Sequence, residues 1–221
     1  MPSHLSYNRT SMKTIVCYGD SNTWGDPPGG EGRHPWEIRW PGALQNLLSD
    51  RYRVIEEGLN GRTTAFDDET SPLRNGLTYL AFVIESHSPI DILIIMLGTN
   101  DLKAQFSLSA REIAENAGKL IALSKSYGPN VKETLLISPP HVVPTENQEE
   151  STTFEGAIQK SRELAKHYKF FADRFHCRFL DAANIAKSSP VDGIHLDAKE
   201  HGALAEGIAQ EIRKVFNNDR V

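Results

Sequence analysis

Four short segments of the 221-residue chain carry side chains that could act together on a carbonyl group. The hydroxyl of Ser21, in the run GDSNTWG, could act as a nucleophile if a base removed its proton. Asp192 and His195 are three residues apart, so the carboxylate could orient the imidazole as a general base. The main-chain N–H groups of Ser21 and Gly61 and the amide of Asn100 could then donate to a developing oxyanion.

Each of these residues also has a purely structural interpretation. Gly-Asp-Ser is common in turns, and Ser21 could cap a short helix. Gly61 could serve a turn that needs a positive φ, and Asn100 could form an Asx turn. Asp192 could be a simple turn residue, and His195 could be a neighbour of the helix that follows. The function therefore depends on whether the fold brings the four segments to one place.

The other histidines offer weaker candidates for the base. His141 lies in the segment after the fourth predicted strand and is the second choice after His195. His167 and His201 fall on helical patterns, and we expect both to face solvent.

The elements that must position these residues alternate regularly along the chain. Short apolar and β-branched runs predict five strands, at residues 14–18, 53–59, 91–97, 133–138 and 177–180. Helical spacing with start signals predicts five helices, which involve Pro41, Leu77, the capping box Ser109–Glu112, the stretch Phe154–Phe171 and the cap Asp197–Glu200. Continuous apolar strands suit a parallel sheet that is covered on both faces. The sequence therefore predicts a three-layer α/β/α sandwich with a central five-stranded parallel sheet, in a single domain over residues 1–221 with a tail at 1–11.

Ligands of such sheets bind beyond the carboxyl ends of the strands. Ser21, Gly61 and Asn100 each follow a predicted strand, and the segment with His195 follows the last one. The predicted topology thus collects all four segments along one edge of the sheet.

The blocks GDSNTWG, GLNGRTT, GTND and DGIH resemble, in order and in spacing, the four signature blocks of the SGNH (GDSL-type) hydrolases. The resemblance extends from about Lys13 to the last helix and is closest to the arylesterase/acyltransferase branch. It implies the flavodoxin-like fold of that family. It also implies a serine esterase that cleaves short-chain acetyl or aryl esters through an acyl-enzyme intermediate, with acyl transfer or sugar deacetylation as extensions of that activity.

The resemblance also assigns roles position by position. Ser21 matches the nucleophile, His195 the base and Asp192 the acid. Gly61 and Asn100 match the oxyanion hole, to which the N–H of Ser21 also contributes. The resemblance implies no metal and no cofactor.

Two further positions of the first block are expected to bind substrate. Asn22 stands where the family usually has Leu, which bears on the lining of the pocket. Trp24 matches a tryptophan that is associated with the acyl pocket in the related branch.

Composition limits the choice of partners and compartment. The net charge of −5 and the lack of a Lys/Arg cluster argue against nucleic acid or an anionic membrane as a partner. The longest apolar stretch, 92–97, is too short to span a bilayer, and the first thirteen residues lack the apolar region of a signal peptide. Cytoplasm is therefore the expected compartment. Cys17 and Cys177 are expected to be free thiols, although a disulfide between them is the alternative.

Two other functions are compatible with the same residues. The first is a metal-dependent phosphoesterase, although the Asp and His residues lack metal-ligand spacing. The second is a non-catalytic module that binds carbohydrate or acyl groups on the same fold.

The segment 26–39 is too long for a plain link between a strand and a helix. It contains Trp36 and is followed by Trp40, and indoles are frequent anchors of interfaces. Together with the multimers of the related branch, this predicts a homo-oligomer, an octamer in the specific form, with a pocket for short acyl chains. A flexible loop on a monomer is the alternative.

Overall fold

The computed structural model describes residues 12–217, so the predicted tail at 1–11 lies outside the described residues. The strands are β1 (Lys13–Gly19), β2 (Tyr52–Gly58), β3 (Ile90–Met96), β4 (Val131–Ser138) and β5 (Arg178–Asp181). The helices are α1 (Ser21–Trp24), α2 (Trp40–Leu47), α3 (Gly76–His87), α4 (Ala110–Ser126), α5 (Gln148–Thr153), α6 (Ala157–Arg174) and α7 (Ala198–Asn217). The strands form one parallel sheet in the order β2-β1-β3-β4-β5.

The sheet is covered on both faces, because alternate residues of its strands pack into two separate cores. In β1, Val16 and Tyr18 pack with α3, α4 and α6, whereas Ile15 and Cys17 pack with α2 and α7. The central strand β3 is buried along its whole length. The predicted three-layer α/β/α sandwich with five parallel strands is confirmed.

Local signals set most of the element boundaries. The side chain of Ser109 accepts from the N–H of Glu112, whose carboxylate accepts from the N–H of Ser109, so the predicted capping box is present. Asp197 Oδ1 accepts from the N–H of Glu200 at the start of α7. The predicted helix over 154–171 differs from the observed one at its start, since α6 begins only at Ala157. Gly156, with a φ of 75°, separates it from α5, which the sequence did not predict.

His201 contradicts its predicted exposure, because it lies on the inner face of α7 with an accessibility of 0%. Its Nδ1 atom accepts a hydrogen bond of 3.3 Å from the N–H of Trp40 in α2. Burial, with the nearby His34 ring, lowers the pKa of His201 from 6.5 to about 3. His167, on α6, is half-buried.

Trp40 is also fully buried, in the core between α2 and α7. Its predicted role as an anchor for another subunit is therefore wrong, since none of its surface is available to a partner. Trp36 is half-buried, and the guanidinium of Arg39 lies 5.2 Å from its ring centre.

Cys17 and Cys177 are free thiols, the first buried and the second half-buried. Among residues 12–217, no helix is both long and apolar enough to cross a membrane.

Candidate active site

Ser21 is the first residue of the short helix α1, directly beyond the carboxyl end of β1. Asp20 caps this helix by accepting from the N–H of Asn22 at 3.0 Å. The helix lies so close to β2 that a Cβ on Gly58 would come within 2.2 Å of the nitrogen of Trp24. Gly25, in the left-handed region with a φ of 92°, ends the helix. The turn chemistry of the block therefore presents Ser21 at the edge of the sheet.

Ser21, His195 and Asp192 form a continuous hydrogen-bonded chain. The hydroxyl oxygen of Ser21 lies 2.9 Å from Nε2 of His195, and Nδ1 of His195 lies 2.8 Å from Oδ2 of Asp192. The second carboxylate oxygen of Asp192 accepts from the N–H groups of Ile194 and His195. Asp192 thus organises its turn and also orients the imidazole. His195, and not His141, contacts the serine.

Electrostatics favour an ionised Asp192 and a basic imidazole. Burial alone would raise the pKa of Asp192, but the hydrogen bonds from His195 and the charge of its ring lower it to about 2. Burial opposes protonation of His195, but its bond to Asp192 and the charges of Asp192, Asp26 and Asp20 together raise its pKa above 6.5. Such a ring can accept the serine proton and hold it as an imidazolium.

Gly61 and Asn100 follow β2 and β3, the two strands that flank β1, so they lie on either side of Ser21 in the order of the sheet. Gly61 has a φ of 78°, and the Asn100 amide donates to the carbonyl of Arg62 at 3.1 Å. The buried guanidinium of Arg62 donates to the carbonyl of Gly19 at 2.8 Å and so ties the turn after β2 to the end of β1. The structure thus places both predicted oxyanion donors on segments that are joined to each other and to β1.

Asn22 has a different role from the predicted contact with substrate. Its side chain is buried, donates to the carbonyl of Ile194 and accepts from the N–H of Leu196, both at 3.0 Å. These two groups flank His195 in the chain. The amide therefore holds the segment of the base against the helix of the nucleophile, and this corrects its predicted place in the pocket lining.

Trp24 is half-buried at the end of α1. The guanidinium of Arg33 lies 4.5 Å from the centre of its ring, and Nε of Arg33 donates to its carbonyl at 2.7 Å. Arg33 is in turn paired with Glu56. The predicted contact of Trp24 with an acyl chain stays a prediction.

The segment 26–39 contributes two contacts that sequence reasoning missed. The N–H of Gly29 donates to Oδ2 of Asp192 at 3.0 Å, so the segment supports the acid of the candidate site. Asp26 places its Oδ2 atom 3.9 Å from Nε2 of His195, and this oxygen accepts from the Asn60 amide at 2.9 Å. Asp26 directly follows the GDSNTWG block, which is the only signal in the sequence that could have drawn attention to it.

A cavity of about 420 Å³ lies beside the acid, between α5, the start of α6 and residues 142–145. Of the hydrogen-bonded chain, only Asp192 lines it, so we do not assign it to the acyl group. Within residues 12–217, no group of three or more His, Cys, Asp or Glu side chains is arranged to hold a metal ion.

Comparison with known proteins decides the family. The model of the GDSL-like lipase/acylhydrolase family matches residues 17–203. The chain belongs to this family. The resemblance inferred from the four sequence blocks is thereby confirmed, and the protein is a carboxylic ester hydrolase of the SGNH type.

Solved structures of other family members agree closely with this fold. A carbohydrate acetylesterase family member from Sinorhizobium meliloti is 38% identical, with 93% of this chain and 100% of that one covered and a TM-score of 0.89. An aryl esterase from M. smegmatis is 37% identical, with 91% and 99% covered and a TM-score of 0.87. No curated protein sequence matches the chain.

Proposed function

We propose that this hydrolase is a serine esterase in which Ser21, His195 and Asp192 form the catalytic triad. The observation that carries the proposal is the continuous chain from the Ser21 hydroxyl to Nε2 of His195, at 2.9 Å, and from Nδ1 to Asp192, at 2.8 Å. Nε2 takes the proton as the serine oxygen attacks the ester carbonyl. Asp192 stabilises the resulting imidazolium and keeps its ring in place.

The tetrahedral intermediate carries its negative charge on the former carbonyl oxygen. The N–H groups of Ser21 and Gly61 and the amide of Asn100 donate to this oxyanion, with Arg62 holding the turn between them. The intermediate collapses when His195 protonates the departing alcohol oxygen. This leaves an acyl-enzyme, which water or a second alcohol then attacks, with the same imidazole as base.

We further propose that the acyl groups are short, with acetyl esters of aryl alcohols and of sugars as substrates. The similarity to proteins described as a carbohydrate acetylesterase and an aryl esterase supports this choice. Transfer of the acyl group to an alcohol, instead of hydrolysis, is a second outcome of the same acyl-enzyme. The acyl half of the substrate is tested with a series of p-nitrophenyl esters of increasing chain length. The alcohol half is tested with a panel of acetylated sugars.

The nucleophile is tested by changing Ser21→Ala and by labelling with an organophosphate ester. We expect wild-type protein to be labelled at Ser21 and the variant to lose esterase turnover. Ser126→Ala, at an exposed serine of α4, is the matched control and should retain both properties. Full turnover in a folded Ser21→Ala protein would overturn the mechanism.

The two alternative functions give different results in the same assays. A non-catalytic binding module would bind esters or sugars without labelling at Ser21. A metal-dependent phosphoesterase would hydrolyse phosphate esters and lose that activity to a chelator. The paired Ser21 and His195 favour acyl transfer over both.

The homo-oligomer, in its specific form an octamer, also stays a prediction. With Trp40 buried, the half-buried Trp36 is the indole of this region on which the prediction rests. Light scattering of the purified protein is the direct test. A monomer that prefers acyl chains of about eight or more carbons would refute both the assembly and the short pocket.

A further inference from the structure

Asp26 is held rigidly at the edge of the candidate site. Its N–H donates to the carbonyl of Ser21 at 3.0 Å, which fixes its main chain to the residue that carries the nucleophile. Its Oδ2 atom accepts from the amide of Asn60 at 2.9 Å, and Asn60 directly precedes Gly61. The carboxylate is therefore fixed between the nucleophile and one of the oxyanion donors.

This carboxylate faces the atom of His195 that must move the proton. Oδ2 of Asp26 lies 3.9 Å from Nε2, the nitrogen that also contacts the Ser21 hydroxyl at 2.9 Å. The alcohol oxygen that leaves the tetrahedral intermediate has to come within about 3 Å of Nε2 to receive that proton. Any group next to this oxygen in the alcohol half of the substrate therefore passes close to Asp26.

The triad does not need Asp26, because Asp192 already holds the other ring nitrogen. An ionised carboxylate can only accept hydrogen bonds, so its natural partner is a hydroxyl. Two hydroxyl oxygens on adjacent carbons lie within hydrogen-bonding reach of each other. An alcohol that places one oxygen at Nε2 can therefore place the second at Asp26, whose side chain retains 18% of its accessible surface.

We propose that Asp26 is a binding residue that accepts a hydrogen bond from a hydroxyl on the carbon next to the ester-bearing carbon. This inference rests on the proposed function and assigns to the enzyme a preference for monoesters of vicinal diols over esters of simple alcohols. The same contact selects diols as acceptors when an alcohol resolves the acyl-enzyme. Aryl esters lack this hydroxyl and do not use the contact.

The experiment compares two acetates whose alcohols differ in a single hydrogen-bond donor, 2-hydroxyethyl acetate and 2-methoxyethyl acetate. The readout is the ratio of their kcat/KM values, measured at an alkaline pH where His195 is neutral. Wild-type enzyme should prefer the hydroxyethyl ester. Asp26→Ala should lower the ratio about ten- to a hundredfold, which is the size of one hydrogen bond to a charged acceptor. Asp26→Asn should retain part of the preference, since an amide oxygen still accepts.

Glu150→Gln is the matched control for charge. Glu150 is a half-buried carboxylate on α5 whose charge interacts with that of His195. Its removal therefore changes the field at the imidazole without removing the acceptor beside Nε2. We expect the ratio of the two acetates to stay at the wild-type value in this variant.

Equal losses on both acetates in the Asp26 variants would overturn the proposal, because they would indicate an effect on His195 or on the attacking water. Turnover of p-nitrophenyl acetate and organophosphate labelling show whether each variant keeps an intact site. If Asp26→Ala fails that check, the isosteric Asp26→Asn carries the test. A wild-type protein without Ser21-dependent turnover would refute the proposed function itself. Normal turnover with an unchanged ratio would refute the role of Asp26 alone.

Discussion

His201 gives the structure a specific weakness towards acid. The ring is fully buried, and its Nδ1 atom accepts from the N–H of Trp40, so a proton on this nitrogen would remove that bond. Its pKa is lowered to about 3, whereas the ring in the unfolded chain titrates at the ordinary value of 6.5. At a pH between these two pKa values, the ring is protonated in the unfolded chain but neutral in the folded protein. The free energy of unfolding therefore decreases as the pH falls from 6.5 towards 3.

The size of the effect follows from the two pKa values. Each unit of difference is worth about 1.4 kcal/mol, so the whole shift amounts to about 5 kcal/mol at strongly acidic pH. At pH 5 the ring is largely protonated in the unfolded chain, so His201 should lower the free energy of unfolding by about 2 kcal/mol relative to pH 7.5. That is a considerable part of the stability of an ordinary domain.

The test is urea denaturation of wild-type protein and of His201→Asn, at pH 7.5 and at pH 5. Asn keeps an acceptor for the N–H of Trp40 but cannot titrate. Between pH 7.5 and pH 5, the free energy of unfolding of the variant should therefore fall by about 2 kcal/mol less than that of wild type. Other buried carboxyl groups titrate in both proteins and cancel in this double difference. His167→Asn, at a half-buried histidine of α6, should behave like wild type. The same pH dependence in wild type and His201→Asn would refute the reasoning.

Three further predictions concern catalysis. Asn100→Ala should lower kcat about 10²- to 10³-fold with little change in KM, as expected for the loss of one oxyanion donor. The value of kcat/KM should rise with pH as His195 loses its proton, with a midpoint above 6.5 because its pKa is raised, and Asp192→Asn should lower both the midpoint and the rate. Asn22→Leu leaves two buried main-chain groups beside His195 without partners. Urea denaturation should therefore show a free energy of unfolding lower by about 2–4 kcal/mol, and kcat should be reduced because His195 is less firmly positioned.

Each of these predictions has an outcome that would contradict it. A change in KM alone for Asn100→Ala would make this residue a binding or turn residue. A rate that is independent of pH while acylation is limiting would remove His195 as the base. An Asn22→Leu protein with the stability and the kcat of wild type would show that the amide positions nothing.

The sequence predicts the architecture well, because the signals are local. Each strand contains a short apolar or β-branched run, and the ends of the observed strands lie within two residues of the predicted ones. The bond between Asp192 and His195 was predictable for the same reason, since the two residues are three positions apart in one turn. The approach of Ser21 to His195 has no local signal, and its prediction rested on the rule that strand ends share an edge and on the resemblance of the four sequence blocks.

Contacts between distant segments were not predictable, because they depend on how helices and loops pack. Asn22 reaches the main chain of Leu196 across 174 positions, and Gly29 reaches Asp192 across 163. Neither pair has a local pattern that distinguishes it from an ordinary turn. The predicted exposure of His201 was wrong, because the spacing of apolar residues shows that a helix is amphipathic but does not show how far its buried face extends.

The distance in the chain between Ser21 and His195 has a consequence for synthesis of the protein. The chain leaves the ribosome from its N-terminal end, so β1 and the serine emerge long before the imidazole, which follows 174 positions later. The five strands described within residues 12–217 have all emerged by residue 181, yet none of them supplies the base. A growing chain therefore carries an inert serine, and hydrolysis begins only when the segment before α7 has reached the edge of the sheet. Esterase activity in a translation reaction would thus report the completion of the fold.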